Sequence, residues 1–212
     1  MGTCFQAELL CVVNMASDLH QKNSFKDVKI QCEKMCVVLL SPVGRIEILG
    51  CEIGVHQILL QEHAAPQNST VKALVSCEVC ETPEEIPEPL KQCAAWLQAY
   101  FCEPWMTEKL PMPSFHHPLL EQASFTREVL WTLLKDVKFG ETVSYKQLAD
   151  MAGNSKAARA VGGAMRSNPI PIIIPCHRVI CSSGQTGKYT GGSHLKEWLL
   201  SHEKLLKEKL AY

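Results

Sequence analysis

No stretch of this chain approaches the roughly 20 consecutive apolar residues that a membrane span needs, so a membrane-spanning protein is excluded and a soluble one expected. Nor does it open like a secreted protein. Met1 to His20 holds an apolar patch, but no basic segment precedes it and Glu8 interrupts it. A disulfide framework is missing as well: the 11 cysteines (4, 11, 32, 36, 51, 77, 80, 93, 102, 176 and 181) are odd in number and lack a dense regular spacing. Reduced thiols in the nucleus or cytosol follow. Cys77-Glu78-Val79-Cys80 is a single CxxC without a second pair, which is weak evidence for metal or redox chemistry. Gly2 invites myristoylation, but Gln6 stands where Ser or Thr is required.

Net charge is nearly absent too, at -1 over 212 residues, until the chain is split. Residues 1–122 carry 8 Lys+Arg against 15 Asp+Glu, whereas residues 123–212 carry 13 against 7. A basic module follows an acidic one, a hint of a polyanionic partner that is also compatible with an ordinary solvated surface.

The pattern along the chain sets the expected organisation. Residues 1–27 show no clean period and read as an extension. Short β-like runs follow at Met35 to Leu40, Arg45 to Leu49 and Val55 to Leu60, the first two joined by the turn Ser41-Pro42-Val43-Gly44. They predict a small antiparallel sheet. Gln61 to Pro89 reads as a long surface loop, and Leu90 to Phe101 as a helix whose Leu90, Cys93, Ala94, Leu97 and Phe101 face the sheet. Four prolines between Pro104 and Pro118 place a boundary there. The expected domains are 28–118, a small α/β unit, and 119–212, mainly helical.

In the second half Phe125 to Val137 repeats apolar residues at helical spacing, and Phe139-Gly140 ends it. Ser144 with Gln147 predicts a capping box opening a helix from Tyr145 to about Ala152. Gly153-Asn154 turns the chain, and Ser155 is placed to cap a further helix from Lys156 to Arg166. Two short helices joined by a Gly-containing turn form a helix-turn-helix. The second offers alanines, glycines and the long cation Arg159 where major-groove readout wants polar side chains, so close approach to a minor groove suits it better. A surface salt bridge for Arg159, and tight internal packing for the small residues, are the ordinary alternatives.

The apolar run Ile170 to Ile174 leads into Pro175-Cys176-His177-Arg178-Val179. A lone cysteine is usually a small core residue. Here a histidine sits beside it at the end of a stiff segment, and only a thiolate, made by a neighbouring base, is a good nucleophile near neutral pH. Cys176 is the candidate nucleophile.

These segments, with Phe125-Thr126-Arg127, Gly140 to Tyr145, Asn154 to Arg166, Asn168-Pro169 and Tyr189-Thr190-Gly191-Gly192, closely resemble the O6-alkylguanine-DNA alkyltransferases, the methylated-DNA-protein-cysteine methyltransferases, in a vertebrate-like form. The resemblance runs from about residue 30 to 207. It implies an α+β protein with a ribonuclease-like sheet-plus-helix domain and a helix-turn-helix domain. It also implies stoichiometric, single-turnover transfer of the alkyl group from O6-alkylguanine, and less well O4-alkylthymine, in double-stranded DNA to Cys176, in the nucleus and by a monomer.

Carried over residue by residue, the resemblance makes His177 the base through a bridging water, Glu203 the carboxylate that orients it, Asn168 the brace of the turn and Tyr145 the aid to departure of the guanine. Val179, Tyr189 and Thr190 fall at the substrate pocket. Thr126, Tyr145, Lys146, Asn154, Arg159 and Ser182 fall at the DNA, with Arg159 filling the stack left by the extruded nucleotide. No catalytic cofactor is implied. Cys32, Cys51, His56 and His116 fall where some vertebrate members hold a structural zinc, a set chemically suited to tetrahedral zinc although its spacing alone gives no sign of one. Lys146 and Lys188 depart from the commoner Gln and Asn and add positive charge beside the presumed DNA path.

Two readings from other classes compete. A non-catalytic DNA-binding module would be a helix-turn-helix regulator or a lesion-recognition relative without alkyl transfer; such relatives lack the cysteine, and Cys176 is present. A Cys-His hydrolase would need acyl turnover, for which a basic helix-turn-helix has no use.

Overall fold

A computed structural model describes residues 32–61, 77–81, 85–187 and 189–210. The extension expected over residues 1–27, most of the loop expected between 61 and 89, and Lys188 lie outside them.

All three predicted strands form: β1 (Met35–Ser41), β2 (Gly44–Gly50) and β3 (Val55–Gln61). The β1–β2 turn is closed by Ser41, whose Oγ donates to the Gly44 carbonyl at 2.8 Å, and Gly44 takes φ 105°, a conformation open to glycine at little cost. A fourth strand, β4 (Glu78–Glu81), corrects the expectation of a continuous loop: it pairs antiparallel with β1 at the edge of a sheet ordered β3-β2-β1-β4. Its four residues, Glu78-Val79-Cys80-Glu81, carry no apolar alternation, so pairing with the edge of β1 makes it a strand.

Helix α1 (Glu88–Cys102) covers the sheet with Leu90, Cys93, Ala94, Leu97 and Phe101 buried as the spacing predicts. It also buries Trp96 and Tyr100, which flank that stripe on the Cys93 side. Tyr100 packs edge-on against Phe139 and His177, at ring separations of 5.9 and 6.4 Å. One helix thus serves the sheet and the second half of the chain at once.

A short helix α2 (Pro118–Glu121) leads to α3 (Phe125–Asp136), capped by Ser124, whose Oγ accepts the Arg127 N–H at 3.1 Å. Strand β5 (Val143–Ser144) runs parallel to β6 (Val179–Ile180), and α4 (Tyr145–Met151) opens on the predicted capping box. Ser144 Oγ accepts from Gln147 N at 3.1 Å, and Gln147 Oε1 accepts from Ser144 N at 2.9 Å.

The second helix, α5 (Ala158–Arg166), begins two residues later than expected, and Ser155 does not cap it. The Asn154 side chain instead accepts the Lys156 N–H at 3.3 Å, closing a local turn that competes with helix. The last helix, α6 (Gly192–Leu210), brings Glu203 back into the interior. No helix among the described residues is long and apolar enough to cross a membrane.

Three hydrogen bonds between residues distant in sequence join the halves: Ile58 N on β3 donates to the Pro169 carbonyl at 2.9 Å, the Tyr100 hydroxyl on α1 donates to Glu203 Oε1 at 2.8 Å, and His202 Nε2 on α6 donates to the Tyr100 carbonyl at 3.0 Å.

Candidate active site

The turn that carries Cys176 is built from residues poor in alternatives. Asn168 bridges it from both sides: Oδ1 accepts the Ile170 N–H at 3.0 Å and Nδ2 donates to the Ile174 carbonyl at 2.8 Å. Between them Ile172, fully buried, is held at φ 71°, which a β-branched residue adopts only under surrounding constraint. Pro175 then fixes the approach to a single 3₁₀ turn, Cys176–Arg178. Cys176 is 4% exposed.

The cysteine lines a cavity of about 510 Å³ together with Tyr145 from α4, Gly162, Met165 and Arg166 from α5, and Tyr189 and Thr190 from the loop before α6. That volume lies in the range of small-molecule pockets and exceeds a purine base. Gly162 would meet nothing with an added Cβ, so the absence of a side chain there keeps this wall open. Of the residues expected at the pocket, Tyr189 and Thr190 meet Cys176 there, and Tyr145, expected to aid departure of the guanine, joins them. Val179 does not line the cavity: it is fully buried, and its carbonyl accepts from Lys196 Nζ at 2.6 Å.

Behind the cysteine lies a closed polar layer. His177 Nε2 donates to Glu203 Oε1 at 2.6 Å, and neither side chain is more than 1% exposed. This bond fixes the tautomer with Nδ1 unprotonated, and Nδ1 has no hydrogen-bond partner among the described residues. Burial keeps the His177 pKa below its ordinary value, against the pull of Glu203.

Glu203 accepts further bonds from Arg178 Nε at 2.9 Å and Nη2 at 3.1 Å, and from Gly140 N at 2.9 Å. Gly140 takes φ 71°, which turns its N–H onto that carboxylate. Burial alone would raise the Glu203 carboxyl, but the bonds and charges of His177 and Arg178 outweigh it and hold it far below the usual carboxylate range.

Burial raises the Cys176 thiol, offset in part by Asn168, Lys196 and Tyr189. The Tyr189 hydroxyl is buried without a hydrogen-bond partner among the described residues, and burial, then Cys176, hold its pKa well above the ordinary value. Tyr145 stays protonated at neutral pH, its pKa raised by burial and then by the two thiols at Cys181 and Cys176.

Three residues of this layer escape a reading of the sequence. Tyr100 belongs to the first half of the chain, Arg178 passes for part of a basic surface, and Lys196 lies on α6. The last has a visible signal: Lys196, Leu199 and Glu203 share one stripe of that helix, so two charges fall where apolar residues belong.

The residues expected at the DNA occupy the outer side. Lys146, Asn154, Arg159 and Ser182 are exposed, and Thr126 is half-buried in the first turn of α3. Arg159 has no acidic partner among the described residues, so the salt-bridge alternative finds no support among them.

A second cluster lies at the sheet. Sγ of Cys32 and Cys51 and ring nitrogens of His56 and His116 all fall within 4.8 Å of one another. Gly54 permits it: a Cβ there would sit 2.8–2.9 Å from the backbone of Ser114, Phe115 and His116, so only glycine lets that segment pair with β3. Burial would raise the Cys51 thiol, but hydrogen bonds with His56 and His116 bring it down to about 6. His116 turns its other nitrogen towards Glu121, at 3.8 Å, as metal-bound histidines commonly do. Two thiols and two imidazoles so placed fit a tetrahedral metal such as zinc. The CxxC is not part of it: Cys77 is buried near α1, where its carbonyl accepts from Gln98.

Residues 124–205 match the 6-O-methylguanine DNA methyltransferase DNA binding domain, and residues 35–112 match the ribonuclease-like domain of the same proteins. Over 173 residues the chain is 60% identical to the methylated-DNA-protein-cysteine methyltransferase of Mus musculus, covering 81% of this chain and 82% of that protein. The chain belongs to the 6-O-methylguanine DNA methyltransferase family. The Homo sapiens member is 55% identical over 172 residues, 81% of each chain. Among solved members, the Mycobacterium tuberculosis O6-methylguanine methyltransferase superposes with a TM-score of 0.60 at 30% identity, over 82% of this chain and 94% of that one. The same bacterial protein in complex with DNA gives 0.59 at 31% identity, over 79% and 91%.

Proposed function

We propose that this methyltransferase repairs DNA by direct reversal, moving the alkyl group of O6-alkylguanine, and less well of O4-alkylthymine, onto its own Cys176 in a single turnover. The observation that carries the reading is the one cavity shared by the nucleophile and the helix-turn-helix. A base that enters past Gly162 and Met165 reaches the Cys176 sulfur.

The chemistry follows from the groups present. His177, neutral and held by Glu203, takes the thiol proton through a water at Nδ1, and the sulfur attacks the alkyl carbon. The carbon–oxygen bond breaks, its electrons return to the base, and the base gains a proton for which the Tyr145 phenol is the placed donor. One proton leaves Cys176 and one joins guanine, so the net change is transfer of the alkyl group. A thioether has no hydrolytic exit, and the protein is spent.

The reacting atom lies inside the stacked duplex, so the nucleotide must be extruded at a cost of a few kcal/mol. Arg159, exposed and without an acidic partner among the described residues, fills the vacated stack, while Thr126, Lys146, Asn154 and Ser182 hold the flanking backbone. Cys32, Cys51, His56 and His116 hold a structural zinc that takes no part in transfer. The protein works as a monomer in the nucleus, where its substrate lies; cell fractionation and sedimentation test these two points.

The decisive measurement is incubation with duplex DNA carrying one O6-methylguanine, followed by intact-protein and peptide mass analysis. One methyl group per molecule on the Cys176 peptide is expected, and Cys176→Ala binds the duplex without repairing it. Repeated turnover, or methyl on Cys181, would refute the proposal.

A further inference from the structure

Lys196 is 0% exposed, yet no carboxylate among the described residues pairs with it. Its ammonium donates to two backbone carbonyls, those of Val179 and Thr186. Val179 follows the Cys176 turn directly, and Thr186 belongs to the loop that leads to Tyr189 and Thr190. The lysine therefore ties together two walls of the substrate cavity from behind. A buried ammonium satisfied only by neutral dipoles is costly, and such charges are normally paired.

The other cations of this region are committed elsewhere. Arg178 gives Nε and Nη2 to Glu203 and Nη1 to the Val137 carbonyl. His177 is held neutral by burial, and any charge it gains is cancelled by Glu203 at 2.6 Å. The remaining groups that face Cys176 are the Asn168 amide and the phenols of Tyr189 and Tyr145, none of which is positive, and Arg166 of α5, which lines the same cavity but is exposed, so solvent screens its charge. Burial makes a bare thiolate unfavourable at this position, and an imidazole base removes the proton without lowering that cost.

We propose that the Lys196 ammonium, anchored on the carbonyls of Val179 and Thr186, is the counter-charge of the Cys176 thiolate. It is a positioning residue: it touches neither alkyl group nor base and acts through the charge state of the sulfur. Electrostatics runs the same way from both partners. Lys196 lowers the Cys176 thiol, and Cys176, with Cys181, raises Lys196 against the depression that burial causes. This inference rests on Cys176 being the nucleophile.

The test is the pH dependence of alkylation of the full chain by free O6-benzylguanine, read as mass on the Cys176 peptide for wild type and Lys196→Met. With the counter-charge removed, the midpoint of the rate profile should move up by about one pH unit, which costs about tenfold in rate at pH 7, while the high-pH plateau stays within about twofold. A fallen plateau with an unmoved midpoint would mean that Lys196 only shapes the cavity, and would overturn the proposal. No label on Cys176 in the wild type would instead remove the alkyltransfer reading itself.

Lys196→Met leaves two buried carbonyls without a donor and can cost folding, so the reciprocal measurement uses the native lysine. In ¹⁵N-lysine protein the solvent-protected Lys196 Nζ signal should titrate at lower pH in Cys176→Ser than in wild type. Equal midpoints would overturn the coupling.

Discussion

Tyr100, Gly140, His177 and Arg178 all donate to the Glu203 carboxylate, and its ionised form is the one every donor favours. Removing one partner of a buried pair strands the other, here Arg178, and costs about 3–5 kcal/mol. Glu203→Gln should therefore lower stability by about 3 kcal/mol in denaturant melts at pH 7 and slow transfer to Cys176. The carboxyl is depressed in the folded protein, so its contribution is complete above the ordinary carboxylate range and disappears as pH falls through and below it. The gap between wild type and Glu203→Gln should narrow steadily below pH ~5. A gap that stays constant to pH 3 would mean that Glu203 is not ionised in the fold.

Legibility was uneven at the next scale up. The cysteine turn and the capping box are local, and both are readable: Pro175-Cys176-His177 places base beside nucleophile, and Ser144 with Gln147 closes its box as spaced. Ser155 misled because Asn154, one residue earlier, offers the backbone a competing turn. Strand β4 and Tyr100 were invisible for a different reason. Their roles are set by partners far away in sequence, β1 for the one and Glu203 for the other, and no period along the chain records them.

The Ile170–Ile174 segment tests the same scale. At position 172 the φ of 71° suits glycine better than alanine by about 1 kcal/mol, although either truncation loses a buried isoleucine. Ile172→Gly should thus be more stable than Ile172→Ala, the reverse of the order in ordinary strands and helices. Helix α5 carries a second prediction. Arg159→Ala should slow repair in duplex DNA far more than transfer from a free alkylguanine, which needs no extrusion, and the loss should shrink for a mispaired lesion. Equal losses would show that Arg159 supports the pocket or the fold.

Across the whole molecule the acidic first half carries the metal-ligand cluster and the basic second half carries the reacting cysteine. Chelation of the proposed zinc should lower the melting temperature while leaving the transfer rate within a factor of about three, because a structural metal contributes to folding rather than to chemistry. Loss of transfer without unfolding would place the metal in the reaction path instead.

The Tyr100–Glu203 bond also bears on how the protein comes into being. Cys176 is synthesised before Glu203, and until α6 docks on α1 His177 lacks its carboxylate and Arg178 has only the Val137 carbonyl. The nascent thiol is then an ordinary one, largely protonated and slow towards electrophiles. Reactivity arrives only with the closing helix, so a molecule that can act once is not spent during its own synthesis.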